Sequence, residues 1–522
     1  MIRPFVGKPG WYVAPIDMVR PIFGASGILL QGATCRIHQT HLPLLNNDEA
    51  QRLLSVTNNV PEVWAQRDVA TEALGFKLRT TQQTGIDFIH ARRGIRGTLL
   101  GDDMRVGKTL TALMAHQPDS GPLVVTAPLQ ARGVWLGWMR RVWPEHADNI
   151  GVVTGRKFNP DVLKHPLVFM HYDVIKDWQT PLDIGTLIFD EAHFLTNHKS
   201  KRTNAAIFHA MRAQRVIAMT GTPIWNLPSD LWAVLGLVAP GGFGGFRDFC
   251  MRYGLPVQTG YGVQYTGLSN EVELKARMSE IMLRRRWVDV ADDIPPITRS
   301  VIVASVDDVT RRKLDILSAK LKSERTNTAG NLAHYRSQLA LLKVPTIVAE
   351  TNKALDAGEP IVVWTWHKET AERVKEKLGD RAVMIHGDIP AVTREERIAH
   401  WKEQCGAGNP MALVANMAVA QVAVDFSVAR LALFGEIDYT PAVIGQAEMR
   451  TFSPLRGMDV TFVVADHIVD QRIIRSLVSK LGAANPLGVG AAVDAIDALR
   501  SAALGTQEEA DLDRLLEDML AA

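Results

Sequence analysis

The fold of this chain is decided by residues 99–113, LLGDDMRVGKTLTAL, and residues 186–193, TLIFDEAH. Each stretch begins with apolar residues typical of a buried strand and continues into a short polar loop, and the first then becomes a helical pattern. A loop between a strand and a helix N-terminus directs backbone N–H groups at an anion. The two stretches therefore predict an α/β protein with a phosphate-binding loop and a pair of carboxylates at strand ends.

These residue types indicate how a nucleotide triphosphate would be bound and attacked by water. Lys108 would contact the β- and γ-phosphates, and the Thr109 hydroxyl would ligate Mg²⁺. Asp190 would hold the Mg²⁺ shell and Glu191 would polarise the attacking water. Each block has a plainer interpretation, an ordinary strand-turn-helix corner or an exposed helix start. Their joint occurrence, each after an apolar strand, favours the nucleotide site.

Composition sets the outer limits. A chain of 522 residues is too long for one core, so two or three domains are expected. With 47% hydrophobic and 22% charged residues and a net charge of +2, any polyanion must be met by local basic patches. Three scattered cysteines argue against a disulfide framework or a zinc site, and no apolar run predicts a signal peptide or a membrane span. A cytoplasmic location is expected.

The pattern of apolar and polar residues also changes along the chain. Short apolar runs alternate with helical patterns in two separate blocks, which predicts two parallel sheets flanked by helices. Between the blocks lie a glycine-rich break and charged helical patterns, and the chain ends in an acidic amphipathic pattern. The predicted segments are an N-terminal accessory segment (1–70), a first lobe that binds the nucleotide (71–240), a helical linker (241–345), a second lobe (346–482) and a helical acidic tail (483–522).

The order of the motifs resembles that of the Swi/Snf-type ATPases of helicase superfamily two. The motif sequences are most similar to those of the annealing-helicase branch and its phage and bacterial relatives. The resemblance runs from about residue 75 to about 475 and rests on LRTTQQTG (78–85), DDMRVGKT (102–109), TAPLQARGVW (126–135), DEAH (190–193), TGTPIWN (220–226), IMLRRRWVDV (281–290), VVWTWHK (362–368), IHGDIP (385–390) and QAEMR (446–450). It implies two RecA-like lobes, ATP hydrolysis with Mg²⁺ between them, and translocation on duplex DNA.

The resemblance also assigns roles to single residues. Gln82 matches the glutamine that reads adenine, although a solvated helix start is its plainer interpretation. Asp103 and Gly107 belong to the phosphate loop around Lys108. Arg450 matches the arginine that stabilises charge on the transferred γ-phosphate.

Nucleic-acid contacts are expected mainly from basic residues. Arg132 follows the third motif, and Lys199, Lys201 and Arg202 form the basic continuation of the DEAH box. His386 and Gly387 match a DNA-facing motif of the second lobe. The run of arginines at 284–286 is a further candidate, whereas Trp135 and Trp138 are expected to pack in a core rather than stack on bases.

Three features depart from the family pattern. Ser453 stands where a second arginine is common, which leaves open whether Arg456 replaces it or hydrolysis proceeds with Arg450 alone. Ala423 lies in a loop that is glycine-rich in the family, and Arg105 stands in the phosphate loop where glycine is usual.

The leading hypothesis is an ATP-dependent duplex-DNA translocase or remodeller acting in replication, recombination or repair. The alternatives are a strand-separating DNA or RNA helicase and an ATP-gated nucleic-acid-binding scaffold with little turnover. The expected partner is double-stranded DNA, with branched or single-stranded DNA as further options. The protein is expected to be a monomer without a membrane partner, in a bacterial or phage-infected cell and associated with its nucleoid.

Overall fold

A computed structural model describes residues 2–5, 11–23, 25, 27–45, 48–57, 75–91, 97–153, 155–157, 159–178, 182–221, 229–259, 262–286, 290, 297–304, 312, 328–421, 425–438, 440–453, 456–465 and 470. The chain divides into two compact units. The first comprises Met1–Pro256, Tyr265–Val290 and Ala483–Gly490, and the second comprises Val257–Gln264, Ala291–Gly482 and Ala491–Ala522. The predicted acidic tail lies outside the described residues.

The first unit begins with a small antiparallel sheet. Its four strands lie in the order Arg3–Pro4, Trp11–Pro15, Thr34–His38 and Leu29–Gln31. The helices Ile16–Val19 and Asp48–Thr57 accompany this sheet, and alternate residues such as Ala14, Cys35 and Ile37 form its own small core. The accessory segment predicted from the sequence therefore contains a folded sheet.

A buried arginine joins this small sheet to the rest of the first unit. The Arg277 guanidinium is fully buried and donates to the Tyr253 hydroxyl at 2.7 Å, to the Gly242 carbonyl at 2.5 Å and to the Thr40 hydroxyl at 3.3 Å. It also lies 4.3 Å from the centre of the Phe243 ring. Buried guanidinium groups require such partners. The Thr40 contact links the segment just after the strand Thr34–His38 to the helix Glu271–Met278.

The main sheet of the first unit has seven parallel strands. Their order across the sheet is Met282–Leu283, Gly97–Leu100, Arg215–Met219, Thr186–Asp190, Leu123–Ala127, Leu167–His171 and Ile150–Val153. Successive residues point to opposite faces, so Leu187 and Phe189 enter one core and Ile188 the other. Both faces are covered, which explains why these strands are largely apolar.

α-Helices cover the two faces of the seven-stranded sheet. The α-helices of the first unit after the N-terminal region are Thr80–Ala91, Lys108–Met114, Arg132–Val142, Tyr172–Ile175, Lys201–Ala210, Asp230–Val238, Phe246–Tyr253 and Glu271–Met278. A separate two-stranded sheet pairs Gly254–Thr259 with Gly262–Leu268.

The second unit contains a six-stranded parallel sheet. Its order is Ile297–Ala304, Met458–Ala465, Leu431–Phe434, Ile361–Thr365, Ala412–Asn416 and Ala382–Ile385. Its helices are Thr328–Asp356, Lys368–Leu378, Ala391–Gly406 and Pro441–Thr451. A buried ion pair braces the long helix, because the Lys343 ammonium lies 3.0 Å from Asp470 Oδ2 and also donates to the Val463 carbonyl at 3.3 Å.

The predicted fold class, two parallel sheets flanked by helices, is confirmed. The region predicted as a helical linker differs in part, because residues 282–283 extend the first sheet and residues 297–304 extend the second. The five predicted segment boundaries stay predictions. Among the described residues, no helix combines the length and apolar character needed to span a membrane.

Candidate nucleotide site

Parallel register brings the two motifs to one edge of the seven-stranded sheet. Leu100, Met219 and Asp190 are aligned across three neighbouring strands, each as the last residue of its strand. The phosphate loop, Thr220–Gly221 and the Asp190-Glu191 pair therefore emerge side by side. Ligands of open parallel sheets bind at such carboxyl ends. Thr222 of the same motif lies outside the described residues.

The phosphate loop requires its glycine. Gly107 has φ +109°, and a Cβ there would lie 2.4 Å from Nε2 of Gln82. Either feature disfavours a side chain at this position. Arg105 also has a positive φ, 68°, so the departure from glycine noted in the sequence falls on a left-handed backbone position.

Lys108 is the first residue of the helix after the loop and turns back over it. Its Nζ donates to the carbonyl oxygens of Asp102 at 2.7 Å and Asp103 at 2.9 Å. Burial lowers the pKa of the Lys108 ammonium, while nearby carboxylates, led by Glu191, oppose that shift. Phosphate oxygens can replace the two carbonyls as acceptors and would favour the charged form. Thr109 follows in the first helical turn and is half-buried.

Asp190 is held by three neighbouring groups. The indole N–H of Trp135 donates to Oδ2 at 2.8 Å, the backbone N–H of Glu191 donates to Oδ1 at 3.0 Å, and the Tyr172 hydroxyl donates to the Asp190 carbonyl at 2.6 Å. Burial and then the neighbouring charge of Glu191 raise the pKa of Asp190 to about 6, even though the Trp135 hydrogen bond favours the carboxylate.

This donor set fits a divalent cation. Mg²⁺ is commonly bound by one or two carboxylates together with substrate phosphates, and its charge would offset the repulsion that raises the pKa of Asp190. A threonine hydroxyl from Thr109 completes the chemistry expected for hard oxygen ligands.

Glu191 takes a left-handed backbone conformation, φ 52°, directly after the strand. Its Oε2 lies 3.3 Å from Nδ1 of the buried His193, and the same nitrogen lies 3.3 Å from the Thr220 hydroxyl. His193 therefore lies between the Glu191 carboxylate and the end of the neighbouring strand. No feature of the sequence pattern identified this contact, or those of Trp135 and Tyr172 with Asp190.

Gln82 is buried rather than solvated. It lies in the helix Thr80–Ala91, its Oε1 accepts from the Arg79 backbone N–H at 2.9 Å, and its Nε2 faces Gly107. The structure thus brings Gln82, Asp103, Gly107 and Lys108 together.

The expected nucleic-acid residues of the first unit differ in exposure. Arg132, Lys199 and Lys201 are exposed. Arg202 is half-buried, lies 3.6 Å from Asp173 and rests against the stacked rings of Tyr172 and Phe194.

Arg284 and Arg285 do not behave as a solvated basic run, because both pair with the phosphate loop. Arg284 Nη2 lies 2.9 Å from Asp103 Oδ1, and Arg285 Nε lies 3.1 Å from Asp102 Oδ1. Trp135 is buried, as expected of a packing residue.

The second unit positions its own candidates. Arg450 lies near the end of the helix Pro441–Thr451 and is half-buried, and its carbonyl accepts from the Phe426 backbone N–H at 2.8 Å. Two residues earlier, Glu448 pairs through both carboxylate oxygens with Arg299, at 3.1 and 3.2 Å. This buried pair fixes the helix that carries Arg450.

Arg456 donates to the carbonyls of Ser427 and, at 3.1 Å, Val428, so its guanidinium braces a neighbouring loop. Ala423 lies outside the described residues. His386 is largely buried, and burial followed by the charge of Lys368 lowers the pKa of its imidazole. Gly387 is exposed, with open space where a Cβ would stand.

Comparisons with known proteins give one family match and several relatives. A family model described as the SNF2-related domain matches residues 81–350. The chain is 28% identical over 458 residues to a SWI/SNF-related matrix-associated actin-dependent regulator of chromatin subfamily A-like protein 1 from Xenopus tropicalis, covering 84% of this chain and 47% of that protein. It is 22% identical over 439 residues to the DNA annealing helicase and endonuclease ZRANB3 of Mus musculus, covering 78% and 40%.

Two solved structures are also similar to the chain. A Sulfolobus solfataricus SWI2/SNF2 ATPase core in complex with dsDNA is 18% identical with a TM-score of 0.38, covering 79% of this chain and 94% of that chain. A Pyrococcus furiosus Hef helicase domain is 15% identical with a TM-score of 0.46, covering 78% and 98%. The chain spans about half the length of the curated relatives it matches first.

Proposed function

The chain belongs to the SNF2-related domain family, and from that premise we propose that it is an ATP-dependent translocase or remodeller of duplex DNA. The observation that supports this most directly is the convergence of Lys108, Asp190 and Glu191 at one sheet edge, with Gln82 against the phosphate loop. This arrangement suits binding of an adenine nucleotide and activation of water.

In the proposed reaction a water oxygen forms a bond to the γ-phosphorus while the bond to the β–γ bridging oxygen breaks, giving ADP and phosphate. Glu191 takes the proton from that water. His193 Nδ1 lies 3.3 Å from Oε2, on one side of that carboxylate. The left-handed backbone conformation of Glu191 fixes the direction in which its side chain leaves the backbone.

Lys108 binds the β- and γ-phosphate oxygens after leaving the carbonyls of Asp102 and Asp103. Thr109 and Asp190 would hold Mg²⁺, which when bound neutralises charge on the phosphates. Trp135 keeps Asp190 oriented and favours its ionised form. Arg450 is proposed as the arginine that stabilises charge on the transferred phosphoryl group.

Duplex DNA is the proposed partner of a monomer. The name of one relative describes it as a DNA annealing helicase, and the exposed Arg132, Lys199 and Lys201 offer phosphate contacts on the first unit. Branched or single-stranded DNA are further substrates to compare. Contacts to phosphates alone would give affinity that falls steeply with salt and is independent of base sequence.

Steady-state ATP hydrolysis without nucleic acid and with duplex DNA, single-stranded DNA or RNA tests this proposal. Duplex DNA should stimulate turnover, and Lys108→Ala and Glu191→Gln should abolish the stimulated rate. Lys164→Ala, a change at an exposed lysine of the same unit, should retain it. Rates that are equal under every condition and unaffected by Lys108→Ala would refute the proposal.

A labelled-strand displacement assay separates translocation from strand separation. Release of the labelled strand would replace the translocase assignment with that of a helicase. Binding of ATP without turnover on any nucleic acid would favour a scaffold.

A further inference from the structure

We propose that Arg284 and Arg285 are positioning residues of the nucleotide site, which clamp the phosphate loop in the shape that receives ATP. The inference rests on the proposed ATPase function and extends it to a segment more than 170 residues away in sequence. It also removes these two arginines from the candidate contacts to nucleic acid.

The clamp begins with a backbone ladder. Residues 282–283 form an edge strand parallel to Leu99–Leu100, and the pairing continues beyond both strands. The Gly101 backbone N–H donates to the Leu283 carbonyl at 2.8 Å, and the Asp103 N–H donates to the Arg285 carbonyl at 2.9 Å. The phosphate loop is therefore held along one side from its first residue.

Arg285 forms the inner half of the clamp. Its Nε and Nη2 reach the two carboxylate oxygens of Asp102 at 3.1 and 2.5 Å, and Nη1 donates to the Thr81 carbonyl. Asp102 is only 1% exposed, so its charge is compensated by a fixed bidentate partner. Thr81 precedes Gln82, and Gly85 of the same helix lies against the guanidinium and Thr111, since a Cβ there would lie 3.2 Å from Nη2 and 2.7 Å from Thr111 Cγ2. Arg285 thus joins the phosphate loop to the helix of the proposed adenine contact.

Arg284 forms the outer half. Nη2 pairs with Asp103 at 2.9 Å, and Nη1 donates to the Gly101 carbonyl and, at 3.3 Å, to the Gly221 carbonyl. Gly101 opens the phosphate loop, and Gly221 follows the neighbouring strand. Arg284 therefore sets the spacing between two strand ends on the rim of the site.

The planar fork of arginine is essential to this geometry. Lysine keeps the charge but cannot reach two carboxylate oxygens and a carbonyl at once. Arg285→Lys therefore separates a positioning role from simple electrostatic attraction between a cation and the phosphates.

The test is calorimetric binding of adenylyl imidodiphosphate with Mg²⁺, without DNA and well below the unfolding temperature, combined with thermal unfolding without nucleotide. Arg285→Ala and Arg285→Lys should each weaken binding by about tenfold or more, because small displacements of binding groups have large effects. Arg140→Ala, at an exposed arginine of the helix Arg132–Val142, should bind as the wild type does.

The outcomes are distinguishable. If Arg285→Lys binds within about twofold of the wild type, or lowers only the melting temperature, the positioning role is refuted. If the wild type itself does not bind the analogue, the proposed function fails rather than the clamp. Should the Arg285 variants not fold, Arg284→Lys keeps the buried Asp102 pair and decides by the same measurement, with unchanged affinity refuting the clamp.

Discussion

The Trp135–Asp190 hydrogen bond gives a quantitative prediction. Trp135→Phe removes the indole N–H that donates to Asp190 Oδ2 at 2.8 Å but keeps an aromatic ring in the core. A hydrogen bond to a charged group contributes about 1.5–3 kcal/mol, and 1.36 kcal/mol corresponds to one pKa unit. Allowing for partial relaxation, the pKa of Asp190 should rise by about one unit, from about 6 to about 7.

The direction of the pH effect is set by Asp190, because its ionised form is the one that would hold Mg²⁺. Activity that needs the Asp190 carboxylate is lost as the pH falls through its pKa. With the shift above, the ratio of wild-type to variant kcat/KM should be about five at pH 6, about two at pH 7 and about one at pH 8. Sub-saturating Mg²⁺ is needed, because bound metal competes with the proton.

The assay is a pH profile of DNA-stimulated ATP hydrolysis for both proteins. Trp138→Phe is the matched control, since Trp138 lies on the same helix but packs edge-to-face on Phe76 at 6.2 Å. Its acid limb should coincide with that of the wild type. A Trp135→Phe profile reduced by the same factor at every pH would mean that the indole only packs, and would refute the reasoning.

Three further changes have definite expected results. Gly107→Ala places a Cβ against Gln82 on a left-handed backbone, so it should destabilise by about 1–3 kcal/mol in thermal or chemical unfolding and abolish measurable binding of the ATP analogue. Tyr172→Phe removes the hydroxyl that donates a hydrogen bond to the Asp190 carbonyl at 2.6 Å. It should lower the free energy of unfolding by about 1 kcal/mol and lower kcat several-fold in steady-state assays. Lys343→Met leaves Asp470 buried without its ammonium partner and should cost about 3–5 kcal/mol in chemical unfolding, and adding Asp470→Leu should recover part of that loss.

The parallel strands could be predicted because the sequence pattern that indicates each strand lies within the strand itself. Each strand of four or five residues carries two or more consecutive apolar side chains and is buried on both faces, so the apolar residues mark the strand, and a polar residue at or after its end marks the carboxyl end. The placement of Lys108, Asp190 and Glu191 at one edge follows from that pattern alone. Their hydrogen-bond partners do not, because Trp135 and Tyr172 come from other elements and nothing in their local sequence indicates which polar atom each will meet.

The N-terminal sheet was harder to predict. Its strands have two to five residues and pair antiparallel, so no run is long enough to establish a period. One of its contacts with the rest of the first unit comes from Arg277, more than 230 residues from its partner Thr40. A charged residue in an amphipathic helix is ordinarily expected at the surface, and only the tertiary contacts of Arg277 explain its burial.

The arginine clamp indicates which non-local information would have been needed. MLRR (282–285) and LLGDD (99–103) each begin with an apolar pair and end in two like charges, positive in one and negative in the other. Once Met282–Leu283 is placed parallel to Leu99–Leu100, the two pairs of charges come within reach at one end of the two strands. A two-residue strand is too short to show a periodicity from which that register could be predicted. Complementary charge beyond two short apolar pairs is therefore the property of the sequence that specifies this pairing, and a basic run can be structural when an acidic run follows a matching strand elsewhere in the chain.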